Sequence, residues 1–378
     1  MIVEAFLRWA ATAKAGDRAK AANALGRAYL YSEMSTHERS AAEVAITYLL
    51  DDPSPRVRLA LAEALCRSPD APRGIILSLA EDQAEIACHV ITCSPLLDDN
   101  DLVDLTAKGN FITRMLIAAR MPISRSVSAA IAEIGGEEEV LCLLENPEAS
   151  ISRLSLKRIA ERLGGSCDIR NLLLERSNLP SDARHVLLQH VSDALNSFSL
   201  AQAAIGATRL QRITREANDA ATVTIAGTVI HDEIPVLVEY LRIAGRLTPS
   251  FLMHTLCSGK VEFFAGAIGN LSGCEERRVR SILATGRMHA VRALYESAGI
   301  AREISMIFVE ATLLWREAAR AASGAALENV SARLLQKFRR RDGEADVVTE
   351  LLDMVEKLYI AEQRQSARSY ASVVSLAA

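Results

Sequence analysis

The stretch Tyr48-Leu49-Leu50-Asp51-Asp52-Pro53-Ser54-Pro55-Arg56-Val57-Arg58 decides the fold. An apolar run ends in two aspartates and two prolines. Apolar side chains then resume at Val57, Leu61 and Leu65, the spacing of one helix face. Proline is tolerated in a first helical turn, where its missing N–H would have no partner anyway. Asp or Asn just ahead of a helix accepts from a backbone N–H left free. The segment predicts a helix, a tight polar turn and a second helix.

Four further turns overlay on this one. They are Leu79-Ala80-Glu81-Asp82-Gln83, Leu105-Thr106-Ala107-Lys108-Gly109-Asn110, Leu143-Leu144-Glu145-Asn146-Pro147 and Leu174-Glu175-Arg176-Ser177-Asn178. Aligned on Asp52, Asp82, Asn110, Asn146 and Asn178, they are 30, 28, 36 and 32 residues apart. A period of this length is the mark of stacked helical repeats, in which no helix pair covers its own apolar face. Pro147 and Pro180 repeat the proline signal, and Ile151, Leu154 and Ile159 repeat the apolar spacing. The 36-residue step holds an extra helix near 126–134, closed by Gly135-Gly136, which reads as an insertion.

The β-branched run Thr222–Ile230 has the composition of a strand. It continues a helical face through Leu210, Ile213, Ala217, Ala221 and Ile225 and has no second strand to pair with, so helix is the reading. From about 231 the rhythm shortens, with Gly245, Gly259, Gly273, Gly286 and Gly299 placed to end helices. Longer helices are predicted near 302–322 and 344–366. The expected fold is therefore all-α, a helical-repeat solenoid over 1–200, a connecting helical segment over 201–235 and a C-terminal helical bundle over 236–378.

The first part resembles HEAT repeats, with Asp52-Pro53-Ser54-Pro55-Arg56-Val57-Arg58 the best copy and those at 82 and 110 poor ones. The blocks Phe263-Phe264 to Ile268, Val279-Arg280 to Leu283 and Ala293-Leu294-Tyr295 to Gly299-Ile300 resemble an uncharacterised alphaproteobacterial family, domain of unknown function 2336. That resemblance spans essentially the whole chain. It implies an all-helical bacterial cytoplasmic protein and brings no catalytic residues with it.

Composition narrows the function classes. Hydrophobic residues make up 50% of the 378, and mean hydropathy is +0.13. Yet no run of about 20 uncharged apolar residues occurs, so no membrane span is expected. The N-terminal Met1–Trp9 segment carries Glu4 and Arg8, unlike a secretory leader, and a reducing cytoplasm is expected. Seven cysteines without CxxC spacing read as buried small hydrophobes. A net charge of −4 and 4% aromatic residues give nucleic acid little to bind.

No residue pattern announces a reaction. HExxH, the phosphate-loop motif and GxGxxG are missing. His185 and His190, five apart, fall on different helix faces. Cys88-His89 with Cys93 falls short of a zinc set, and His231-Asp232-Glu233 reads as helix-start chemistry. Gly269-Asn270-Leu271-Ser272-Gly273 has neither the spacing nor the preceding strand of a nucleophile elbow. No cofactor is expected.

The expected function is a non-enzymatic protein-interaction scaffold or regulatory adaptor with a protein partner. An enzyme with an unrecognised helical active site and a HEAT-like nucleic-acid-binding protein are the alternatives. Candidate interaction residues are the basic stretch Lys337, Arg339, Arg340 and Arg341 and the apolar stripe of the last helix, with Leu351 and Val355 at its centre. The stripe is covered either by the chain's own bundle, through the 302–322 helix, or by a second copy in a homodimer.

Overall fold

The computed structural model describes residues 2–285, 287–320, 330–338 and 346–377. Among them it has 23 α-helices, one 3-10 turn and no strand; Ile123 and Ala149 form an isolated bridge. The chain divides into two units, Met1–Leu179 and Pro180–Ala378. The divide falls ahead of residue 200, because the helices over 181–228 pack with those that follow.

In the first unit the helices are α1 (Ile2–Thr12), α2 (Ala15–Tyr31), α3 (Thr36–Leu50), α4 (Pro55–Leu65), α5 (Arg73–Ala80) and α6 (Ala84–Cys93). They continue as α7 (Asp99–Lys108), α8 (Phe111–Ala118), α9 (Arg125–Ile134), α10 (Glu137–Glu145), α11 (Arg153–Leu163) and α12 (Cys167–Glu175). Most helices pack chiefly on the helix two places along, while α3 and α5 pack most on their neighbours α2 and α6. The even-numbered helices α2 to α12 form one unbroken row; α1, α3 and α5 and then α7, α9 and α11 pack in the same alternating way. Val57, Leu61 and Leu65 are buried as their spacing predicts. Gly26 lets α2 approach α4, since a Cβ there would lie 2.9 Å from that of Ala64.

The helix at 125–134 is a regular member of its row, packed on α7 and α11. Its presence shifts the phase of the repeat. Asp52, Asp82 and Asn110 precede even-numbered helices, whereas Asn146 and Asn178 follow them. The turn residues differ accordingly. Asn110 caps α8 by accepting from the Thr113 N–H. Asp52 instead accepts from Arg18 at 2.6 and 2.9 Å and from the Ser54 N–H. Asn146 donates to the Ala118 and Arg120 carbonyls at the end of α8.

A polar rung joins every successive pair of the even row. Arg18 meets Asp52 ahead of α4, and Arg58 meets Asp82 ahead of α6 at 2.6 and 3.0 Å. Arg120 donates to the Ile91 and Ser94 carbonyls, Asn146 to those of α8, and Arg176 to Leu144. In the other row Arg73 reaches the Leu96 carbonyl and the carboxylates of Asp98 and Asp101. Arg162 reaches the Ala132 and Gly135 carbonyls. Short helices leave four N–H groups and four C=O groups open at their ends, and here the neighbouring helix supplies partners.

The second unit holds α13 (Ser181–Ser197), α14 (Ser199–Ile205), α15 (Ala207–Thr228), α16 (Ile234–Ile243), α17 (Pro249–Cys257) and α18 (Val261–Ser272). After them come α19 (Glu276–Thr285), α20 (Met288–Ser297), α21 (Arg302–Arg320), α22 (Val330–Lys337) and α23 (Asp346–Ala377). The run 222–228 is helix, within α15. Gly245, Gly259, Gly273 and Gly299 all have positive φ; Gly286 lies outside the described residues. Three of them close helices with paired bonds. Gly299 N–H reaches the Glu296 carbonyl and Ile300 N–H that of Tyr295, and Gly245-Arg246 and Gly259-Lys260 repeat the geometry.

The core of this unit gathers Phe263, Phe264, Val279, Leu294, Tyr295, Ile300 and Phe308. Phe264, Tyr295 and Phe308 pack with ring centroids 5.6 to 6.4 Å apart, and the Tyr295 hydroxyl pairs with Thr312. Burial pushes that phenol's pKa up. The sequence blocks over 259–300 are thus core elements.

Replacing Arg120 with Ala leaves the Ile91 and Ser94 carbonyls without their donor. It should cost about 2 kcal/mol in chemical denaturation. Leu154→Ala, at a side chain 80% exposed, should change stability by under about 0.5 kcal/mol.

Candidate functional site

Two helices of the second unit bury polar side chains among their apolar ones and leave other apolar side chains in solvent. On α13 and α15, Ser192, Thr214, Asn218 and Thr222 are buried, as is His185 at 0% exposure. Meanwhile Val191, Leu195 and Ile213 are exposed. Buried polar and exposed apolar groups are the informative departures from ordinary packing. The buried groups form a seam where the helices pack: Asn218 donates to Ser192 Oγ at 3.2 Å, Ser192 Oγ donates to the Leu188 carbonyl, and Thr222 donates to the Asn218 carbonyl.

The seam opens into a cleft of about 610 Å³ lined by Gln189, Ser192, Asp193 and Asn196 of α13 and by Gln211, Thr214, Arg215 and Asn218 of α15. Arg246, just past α16, closes one side. A second lobe of about 470 Å³ shares Arg215, Ala244 and Arg246 and adds Asp219, Thr248, Ser250 and Glu350. Neither the Arg215 nor the Arg246 side chain has an ion pair or hydrogen bond among the described residues. Burial pushes the Asp219 carboxyl up in pKa, while the charges of Arg246 and Arg215 oppose that rise. His185 lies one turn before Gln189, against the Tyr240 ring at 5.4 Å. Its ring nitrogens have no hydrogen-bond partner among the described residues. Burial, with the Arg246 charge second, lowers its pKa to about 4. Burial lowers His254 to about 4 as well.

The outer side of the same hairpin is apolar. Val191, Leu195, Phe198, Leu200, Ile205 and Ile213 are all exposed, Leu200 at 69%. They lie on three successive helices in mutual contact and on the turn after α13, and α14 buries no residue at all.

A model of the family described as "Uncharacterised protein conserved in bacteria (DUF2336)" matches residues 86–348, more than half of the chain. The chain belongs to this family. No curated protein and no solved structure matches it. The matched region takes in the α13–α15 hairpin, its cleft and the aromatic core.

Of the residues singled out in the sequence, Leu351 lines the second lobe of the cleft. Lys337 is exposed and paired with Glu310. Arg339, Arg340 and Arg341 lie outside the described residues. Leu351 and Val355 are buried at 2% and 0% exposure, in the core where α23 meets α17, α21 and α22. The chain itself covers that stripe, with Ile304, Ile307, Phe308 and Leu314 in the same core. Cys88 and Cys93 are not joined by His89 in any metal set, and no cluster of three or more possible ligands occurs among the described residues. No described helix is long and apolar enough to cross a membrane.

Sequence reasoning missed the cleft because it looked for reactive motifs. The signal was present as polar residues at 185, 189, 192 and 196, the three-to-four-residue spacing of one α13 face.

Two measurements follow from this geometry. In the unfolded chain His185 binds its proton near 6.5, and in the folded chain only near 4. Between those values the unfolded state holds the extra proton, so stability falls as pH drops through that window. His185→Gln should remove about 1.4 kcal/mol per pH unit from that slope in denaturation titrations. The double variant Leu351→Asp and Val355→Asp should lower the melting temperature sharply, because two charges enter an apolar core. A variant that melts like the parent would count against the internal packing.

Proposed function

We infer that the chain is a non-enzymatic protein-interaction scaffold or adaptor of the bacterial cytoplasm. Its first unit is read as a HEAT-like helical solenoid, and its main docking surface is the α13–α15 hairpin. The alternating packing of α1–α12, with one polar rung per step, supports the repeat reading. The observation that carries the interaction reading is the apolar outer side of the hairpin. Burying each such side chain is worth roughly 1.5–3 kcal/mol, and six of them stand in water within 23 residues. Arg209 and Arg212, exposed on α15, have no ion pair among the described residues. The partner that fits is a protein presenting an amphipathic helix with an acidic flank.

A reaction in the cleft is the second reading, favoured by Asp193, Arg215, Asp219 and Arg246 in one cavity system. Against it, Ser192 Oγ is engaged with Leu188 and Asn218 and is not free to act as a nucleophile. A nucleic-acid role has less support, given the net charge of −4.

The hairpin is tested with the full chain carrying Leu195→Asp and Leu200→Asp. Both sites are exposed, so the melting temperature should stay near that of the parent. Cross-linking in the source bacterium followed by mass spectrometry should show loss of the proteins bound by the parent chain. Retention of the same bound proteins would refute the surface assignment.

A further inference from the structure

The cleft has a chemistry of its own, beyond the apolar docking surface on the outer side of the hairpin. Its two lobes meet at Arg215 and Arg246, which line both. Arginine presents a planar fork of donors that matches a carboxylate; both side chains lack a hydrogen bond among the described residues, though their charges act on Asp219. The guanidiniums do not stand in a uniformly positive field. The first lobe carries Asp193, and the second carries Asp219 and Glu350. Those acids repel a multiply charged phosphate ester and welcome a cation close to the bound carboxylate.

A further detail separates the first lobe from an ordinary surface depression. The Asn196 carboxamide oxygen is shielded from solvent and has no hydrogen-bond donor. It belongs to the same lining as Asp193. An acceptor left without a donor in a shielded position is costly, and it leaves uncompensated negative partial charge in the lining that holds Asp193. The rest of that lobe consists of amide and hydroxyl side chains, among them Gln189 and Gln211. These suit a ligand with further hydrogen-bonding groups.

We propose that this cleft binds a small zwitterion of the amino-acid class, its carboxylate on Arg215 and Arg246 and its ammonium on Asp193. The first lobe, about 610 Å³, has room for a side chain beyond the charged groups. Because Arg246 directly follows the Gly245 turn that ends α16, its backbone is fixed before a ligand arrives. Arg215 stands on the middle of α15. Such preorganisation limits the ordering that binding must impose.

The test uses the full chain and isothermal titration calorimetry. The probes are the proteinogenic L-amino acids and glycylglycine, with acetate, ethylamine and inorganic phosphate as single-sign controls. At least one zwitterion should bind saturably at millimolar concentration, and the controls should not. Arg215→Gln, Arg246→Gln and Asp193→Asn should each weaken that binding about tenfold or more. Arg215 and Asp193 are exposed, so their variants keep the fold, and unchanged circular dichroism and melting temperature verify it. The proposal fails if no zwitterion binds. It fails equally if phosphate or acetate binds as well as the zwitterions, or if binding survives Arg215→Gln. Partner capture by the outer face is a separate readout, so either result can fail without the other.

Discussion

The demand that dominates this protein is the satisfaction of helix ends. A helix leaves its first four N–H and last four C=O groups without internal partners. Many of the helices here are only 8 to 12 residues long, so a large share of their backbone is end. A chain of this kind holds together only where each end finds a donor or acceptor, and the side chains that provide them set the order of packing. In the first unit the donors come from the next helix of the row. Arg120 and Arg162 each bridge two carbonyls of the preceding helix, and Asn146 does the same with its amide. Arg18 and Arg58 reach instead to the carboxylate of the turn ahead of the neighbouring helix. Register between neighbours is therefore set by directional bonds as well as by the apolar faces of Ile76, Ile86 and Ile117.

The second unit meets the same demand differently. Gly245, Gly259 and Gly299 turn the backbone into the left-handed region, and each glycine's own N–H and that of the next residue fold back on the helix just ended. Since its own backbone closes each of these helices, a neighbour's side chain is not required there. The helices are then free to gather around the Phe264, Tyr295 and Phe308 rings from several directions. Gly266 serves closeness rather than turning: a Cβ there would come within 2.8 Å of Ile234 on the adjoining helix.

How much of this the sequence discloses depends on how local the physics is. Helical periodicity and the closing glycines at 245, 259, 273 and 299 are properties of a few consecutive residues, and both were legible. The role of the turn residues was not. Asp52, Asn110 and Asn146 look alike in sequence, yet one receives a distant arginine, one caps its own helix and one donates to a neighbour. Their roles depend on which side of an even-numbered helix they fall, and the regular helix at 125–134 shifts that phase. The apolar stripe at Leu351 and Val355 was legible as a stripe; its cover, supplied by α17 and α21, is a matter of contacts distant in sequence. The cleft was hidden for a related reason. It is made by two polar helix faces meeting, and neither Ser192 nor Asn218 signals anything alone.

The α13–α15 hairpin brings these strands of physics together. In the seam of buried hydroxyls and amides, Ser192, Asn218 and Thr222 find partners in one another and in the backbone. Beside this seam the hairpin also buries Val186, Leu187 and Leu210, and Val223 and Ala226 carry the end of α15 into the core of the unit. Specific contacts add to this tie: Lys357 pairs with Glu216 at 2.6 Å, and Tyr240 packs on His185 at 5.4 Å. Other apolar side chains lie on the outside, at Val191, Leu195 and Ile213. One departure from the usual pattern thus accounts for both features of the hairpin, a polar cavity within and an apolar surface without. Local departures of this kind from the rules of packing are where the physical argument for a binding role begins.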